Sequence, residues 1–136
     1  MYRVTETVDF VYGHRLLHYR GPCAHLHGHN GRVEIEVESA NLDERSMVAD
    51  FADIGRIVRE WIAENIDHRM MLHRDDPLVA VLRAHDEPIF TMDRDPTAEE
   101  IARLIFEQCA AHGVRVSSVR LWETPDSSAI YSPTKP

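Results

Sequence analysis

The chain has 136 residues, 43% of them hydrophobic and 28% charged, with a formal net charge of −8. That length predicts one domain over residues 1–136 with a core that needs no staples, and the acidic balance excludes a general nucleic-acid binder, which needs a basic face. Cys23 and Cys109 lack CxxC spacing and fit a reducing cytoplasm, and the chain shows no secretory leader and no apolar run of membrane length, so a small-molecule or protein partner is expected.

Residues 2–11, YRVTETVDFV, are rich in β-branched residues and roughly alternate, which predicts a strand. A turn-prone, histidine-rich stretch follows from Gly13 to Gly31, broken most strongly at Gly21-Pro22. GRVEIEVES then alternates cleanly, with Val33, Ile35 and Val37 on one side and Glu34, Glu36 and Glu38 on the other. This predicts a half-buried antiparallel strand. Asp50 is a fair cap for a helix in which Phe51, Ile54, Ile57, Val58, Trp61, Ile62 and Ile66 recur at helical spacing. Residues 67–96 read as irregular, broken by Pro77, Pro88 and Pro96, with a short helical piece around Leu78–Arg83. Thr97-Ala98-Glu99-Glu100 opens a second helix in a capping-box pattern. Ile101, Leu104, Ile105 and Cys109 form its apolar stripe, and Gly113 ends it. VRVSSVRLWE and SSAIY close the chain as a hairpin. The order β-β-α-α-β-β predicts an α+β fold, a four-stranded antiparallel sheet with two helices on one face. Its two open edges predict lateral assembly into a homo-oligomer.

The segment CAHLHGHN concentrates candidate chemistry. His27 and His29, two residues apart entering a strand, emerge on the same face roughly 7 Å apart along the chain. His14, just past the first strand, is the natural third member. Three neutral nitrogens with a fourth position open to water or substrate are the pattern of a catalytic zinc, set against a solvated HxH loop. Cys23 reads in three ways: a fourth zinc ligand, a thiolate base beside the metal, or a small buried hydrophobe. Its surroundings favour the reactive thiol. Cys109, on the apolar stripe, reads as core. Asp67-His68 follows the first helix, where a carboxylate can orient an imidazole for acid–base work or a helix end can simply favour a histidine. Glu123 at a strand end is either exposed or holds an NH-rich ligand. His18, His25, His73, His85 and His112 read as surface or supporting residues.

Taken in order, FVYGHRLL, CAHLHGHN, MVADF, IDHRMML, DPTAEEIA and WETPDSSAIY resemble the 6-pyruvoyltetrahydropterin synthase / 6-carboxytetrahydropterin synthase family of the tunnelling fold, from about Phe10 to Tyr131. The resemblance implies zinc on His14, His27 and His29, a catalytic Cys23 assisted by Asp67 and His68, and Glu123 as the carboxylate that anchors the pterin. The family's PTxE falls on Pro96-Thr97-Ala98-Glu99, where Thr97 is equally explained as a cap. The family implies trimers or dimers of trimers with active sites at subunit boundaries. It also implies a pterin triphosphate substrate, 7,8-dihydroneopterin triphosphate, with Arg15, Arg69 and Arg74 as candidates for its phosphates. The C-x3-H-G-H spacing is similar to that of bacterial carboxy-forming enzymes of queuosine biosynthesis; the alternatives are a pyruvoyl-forming synthase and a non-catalytic pterin binder. One departure is Met71-Leu72, where the family often has Leu-Asn.

Overall fold

The computed structural model describes residues 1–133. A long antiparallel hairpin of β1 (Tyr2–His14) and β2 (His27–Ser39) is its spine. The pairing continues antiparallel through β5 (Val116–Thr124) and β6 (Ser127–Tyr131). On the other flank β3 (Arg69–His73) runs parallel to β1, and β4 (Ile89–Met92) parallel to β3. The resulting six-stranded sheet has the order β4-β3-β1-β2-β5-β6. Helices α1 (Phe51–Asn65), α2 (Leu78–Ala84) and α3 (Ala98–Ala111) complete the described residues, with a 3-10 turn at Pro22–Ala24.

The expected four antiparallel strands and two helices are corrected here to six strands, two parallel pairings and three helices. The added strands lie within residues 67–96, read from sequence as irregular. β3 and β4 have only five and four residues, and the buried Met71 and Leu72 of β3 are consecutive rather than alternating. Parallel neighbours need a crossover, and α2 supplies it, on the helical piece expected near Leu78–Arg83. A second correction moves the strand ends. β1 runs past residue 11 to His14 and β2 begins at His27, so His14, His27 and His29 lie inside the hairpin strands while His18 and His25 stay in the connection.

One face of the sheet is the core. Val8, Phe10, Tyr12, Val33, Ile35, Val37, Val119 and Leu121 pack under Ile54, Val58 and Ile62 of α1 and Ile101, Ile105 and Cys109 of α3. Each fully buried aliphatic contributes roughly 1.5–3 kcal/mol. Burial pushes the Cys109 thiol up to about 12, so it is inert, as the apolar stripe predicted. Asp50 accepts from Ala52 N–H at 2.8 Å and Thr97 from Glu100 N–H at 3.3 Å, so both predicted caps form. Gly113, at φ 84°, takes the left-handed position after α3. The other face of the sheet carries crossed charge pairs, Asp9–Arg32 at 2.8 Å and Glu34–Arg120 at 3.2 Å. Such exposed pairs are worth about 0–1 kcal/mol each, so they keep the face wet rather than hold the fold. Among the described residues no helix is long and apolar enough to cross a membrane.

Candidate metal centre

The register of the β1–β2 hairpin builds the site. His14 lies directly opposite His27, and Tyr12 opposite His29. Residues opposed across an antiparallel pair share a face, so all four rings project from the core face at one end of the sheet. Ligand nitrogens of His14, His27 and His29 lie within 4.8 Å of one another, and this is the one such cluster of three or more metal-ligating groups among the described residues.

Backbone carbonyls fix two of the tautomers. His14 Nδ1 donates to the Pro96 carbonyl at 2.7 Å, and His27 Nδ1 donates to the His25 carbonyl at 2.7 Å. A carbonyl only accepts, so each Nδ1 carries the proton and each neutral ring turns a lone pair outward at Nε2. Those two Nε2 atoms stand 2.9 Å apart. Two lone pairs at that distance repel unless a cation lies between them. A shared proton would put charge on His14, which is 3% exposed and whose burial holds its basicity below the ordinary histidine value. A metal ion satisfies both rings and takes His29 as a third. Ligands bound at 2.0–2.1 Å in a tetrahedral shell sit roughly 3.3 Å apart, close to the observed pair. The donor set therefore fits a divalent metal.

Tyr12 stands in this site although the sequence did not single it out. Its ring lies 5.3 Å from that of His14 and 5.6 Å from that of His29, and its hydroxyl donates to Glu123 Oε1 at 3.2 Å. Burial, with the Glu123 carboxylate beside it, raises the Tyr12 phenol well above its ordinary value. Gly31 makes the room: a Cβ there would meet ring carbons of Phe10 and Tyr12 at 3.0 Å each. The signal for Tyr12 was its parity, two residues before His14 and on the same face. Glu123 is half-buried, and the same Oε1 lies 3.8 Å from His14 Nε2.

The remaining candidates do not join the cluster. Cys23 sits half-buried on the 3-10 turn, tied to the end of β1 by the Leu16 N–H donating to its carbonyl at 2.9 Å. Asp67 Oδ1 accepts from Val11 N–H at 3.0 Å and lies 3.0 Å from His68 Nδ1. Burial pushes the Asp67 carboxyl up, but the Val11 N–H and His68 outweigh it and hold it below the usual carboxylate range. His68 is 75% exposed with φ 56°, a left-handed backbone that is strained for a non-glycine residue. Asp67 and His68 line a cavity of about 840 Å³ with Asp9, Arg32, Glu34 and Trp122. Asp9, Arg32 and Glu34 point away from the helices, and His68 also lines a second cavity, of about 550 Å³, with Arg69 and His27.

The three candidate arginines separate clearly. Arg15 is spent on Asp76, bonding it through Nε at 2.7 Å and Nη2 at 2.5 Å. Arg74 pairs with the exposed Asp93 at 3.1 Å. Arg69 donates one Nη2 to the Glu64 carbonyl, and its buried Nε has no hydrogen-bond partner among the described residues. Of the histidines read as supporting, His18 and His73 contact each other at 5.1 Å between ring centroids.

The family model described as 6-pyruvoyl tetrahydropterin synthase matches residues 3–134. A protein of Rickettsia conorii named 6-carboxy-5,6,7,8-tetrahydropterin synthase is 32% identical, over 93% of this chain and 96% of its own. One of the same name from Haemophilus influenzae is 32% identical over 96% and 99%. Among solved structures, an uncharacterized protein from Wolinella succinogenes superposes with TM-score 0.79 at 29% identity, covering 98% of each chain. The Caenorhabditis elegans 6-pyruvoyl tetrahydropterin synthase superposes with TM-score 0.73 at 21% identity over 98% of this chain and 96% of that one, which speaks for the fold alone.

Proposed function

This chain belongs to the 6-pyruvoyl tetrahydropterin synthase family, and from that premise we propose that it is a zinc-dependent 6-carboxy-5,6,7,8-tetrahydropterin synthase, a lyase acting in the cytoplasm on 7,8-dihydroneopterin triphosphate and serving queuosine biosynthesis. The observation that carries the reading is the facing pair of Nε2 lone pairs on His14 and His27 with His29 beside them, next to the Glu123 carboxylate. Relatives of near-equal length bearing the carboxy-forming name choose the branch.

His14, His27 and His29 hold the metal. When bound, zinc supplies Lewis acidity at the substrate's side-chain hydroxyls. Glu123 accepts the NH groups of the aminopyrimidine edge and fixes the ring. Cys23, as thiolate, takes a proton from the substrate side chain. His68, oriented by Asp67, relays or returns one. Arg69, which lines a cavity with His68, is the arginine best placed to meet phosphate. With one water consumed in the carbon–carbon cleavage, the products are 6-carboxytetrahydropterin, acetaldehyde and triphosphate. Because Asp67 and His68 do not join the histidine cluster of their own chain, the site is read as complete only in a homo-oligomer, a trimer or dimer of trimers. A second copy then brings its Asp67 and His68 to the first copy's zinc.

The test is product identification after incubating zinc-loaded protein with 7,8-dihydroneopterin triphosphate while trapping acetaldehyde. Carboxytetrahydropterin with acetaldehyde supports the proposal. A pyruvoyl product moves the chain to the other branch, and unchanged substrate refutes turnover.

A further inference from the structure

We infer that the Tyr12 hydroxyl is a tether that holds the Glu123 carboxylate off the metal and in place for the pterin. Tyr12 is thus a positioning residue for the proposed reaction. The inference rests on the readings of His14, His27 and His29 as the zinc site and of Glu123 as the pterin anchor.

The geometry argues it through one oxygen. Glu123 Oε1 lies 3.8 Å from His14 Nε2, the atom that would ligate the metal, and accepts the Tyr12 hydroxyl at 3.2 Å. A carboxylate that close to a nitrogen which would ligate a divalent cation is itself a competent ligand and would be drawn to the ion. A carboxylate taken as fourth ligand turns an open, catalytic site into a closed, structural one. It would also remove from the pterin the oxygen that should receive its NH. A neutral hydroxyl donating to that oxygen opposes capture, because leaving it costs a hydrogen bond to a charged group and strands a buried donor.

The tether is rigid because the Tyr12 ring is locked. Tyr12 is 2% exposed, stacked on Phe10 at 5.1 Å and wedged against His14 and His29. Gly31 opposite Phe10 leaves the space the ring occupies, so the hydroxyl reaches across β2 to β5. A phenylalanine would pack equally well there, which makes the hydroxyl itself the feature to explain.

The test compares the full-length parent with Tyr12→Phe, Glu123→Gln and the double variant. Zinc affinity is measured by competition with a chromophoric chelator, coordination by the d–d absorption of the cobalt(II)-substituted protein, and pterin binding by neopterin fluorescence. In Tyr12→Phe the opposing hydrogen bond is gone, so zinc affinity should rise about tenfold or more, the cobalt spectrum should change, and neopterin binding should fall. Glu123→Gln alone should not raise zinc affinity, and added to Tyr12→Phe it should abolish the rise in zinc affinity and restore the cobalt spectrum. An unchanged cobalt spectrum and zinc affinity in Tyr12→Phe overturn the tether, as does a rise that Glu123→Gln does not reverse. If His27→Ala loses zinc and Glu123→Gln loses neopterin while Tyr12→Phe changes nothing, the tether alone has failed. Zinc affinity surviving His27→Ala, or neopterin binding surviving Glu123→Gln, overturns the underlying reading and the tether with it.

Discussion

His14 Nε2 and His27 Nε2 face each other at 2.9 Å while the opposite nitrogen of each ring is committed to a backbone carbonyl. That relationship predicts the first variant. His27→Ala should abolish tight zinc binding, read by metal content after dialysis. It should also abolish the melting-temperature gain on adding zinc. In the parent that gain amounts to about 2.7 kcal/mol when free zinc is 100 times its Kd.

Cys23 lies outside the histidine cluster, so Cys23→Ala should separate binding from chemistry. Zinc content and neopterin binding should stay at the parent level while turnover falls roughly 10²–10⁴-fold. Loss of zinc together with turnover would make Cys23 the fourth ligand instead.

The Asp67–His68 pair stands outside the histidine cluster, at a cavity it shares with Arg32 and Trp122. The proposed composite site predicts complementation. Cys23→Ala and His68→Ala proteins, each inactive alone, should regain turnover when unfolded together and refolded as mixed oligomers. Absence of recovery, with mixed assemblies verified by mass spectrometry, would place a whole site within one chain.

Much of this was legible before the fold was known. His27 and His29 two residues apart at a strand start specified a shared face, because the period of a strand is two. His14, read as just past the first strand, was the third candidate, and its register came only with the longer β1. The caps at Asp50 and Thr97 were legible because a side-chain oxygen at a helix start has a local mechanism. β3 and β4 were not: strands this short, paired in parallel across a crossover, draw their stability from neighbours far away in sequence rather than from a local pattern. Arg15 shows the same limit. Its bidentate bond to Asp76 depends on the loop after β3, so the sequence left it one of three unranked candidates for the phosphates.

Asp76 gives the prediction for pH. Its side chain is 0% exposed. Burial pushes its carboxyl upward, but Arg15 and the Leu78 N–H outweigh that and hold it below the ordinary value. A carboxylate depressed on folding stabilises above its unfolded pKa of about 3.9, and that contribution is lost as pH falls through the lower folded value. Asp76→Asn, which strands Arg15, should cost about 3 kcal/mol at pH 7. The gap in melting temperature between parent and variant should hold down to about pH 4 and shrink below it.

The most direct measurement is a zinc titration of chelator-stripped protein that follows bound metal per chain and acetaldehyde release from 7,8-dihydroneopterin triphosphate together. The account predicts that turnover rises in proportion to zinc, reaches its plateau at one ion per chain, and stays absent in His27→Ala at every zinc level. Full turnover in the stripped protein, or in metal-free His27→Ala, would contradict it.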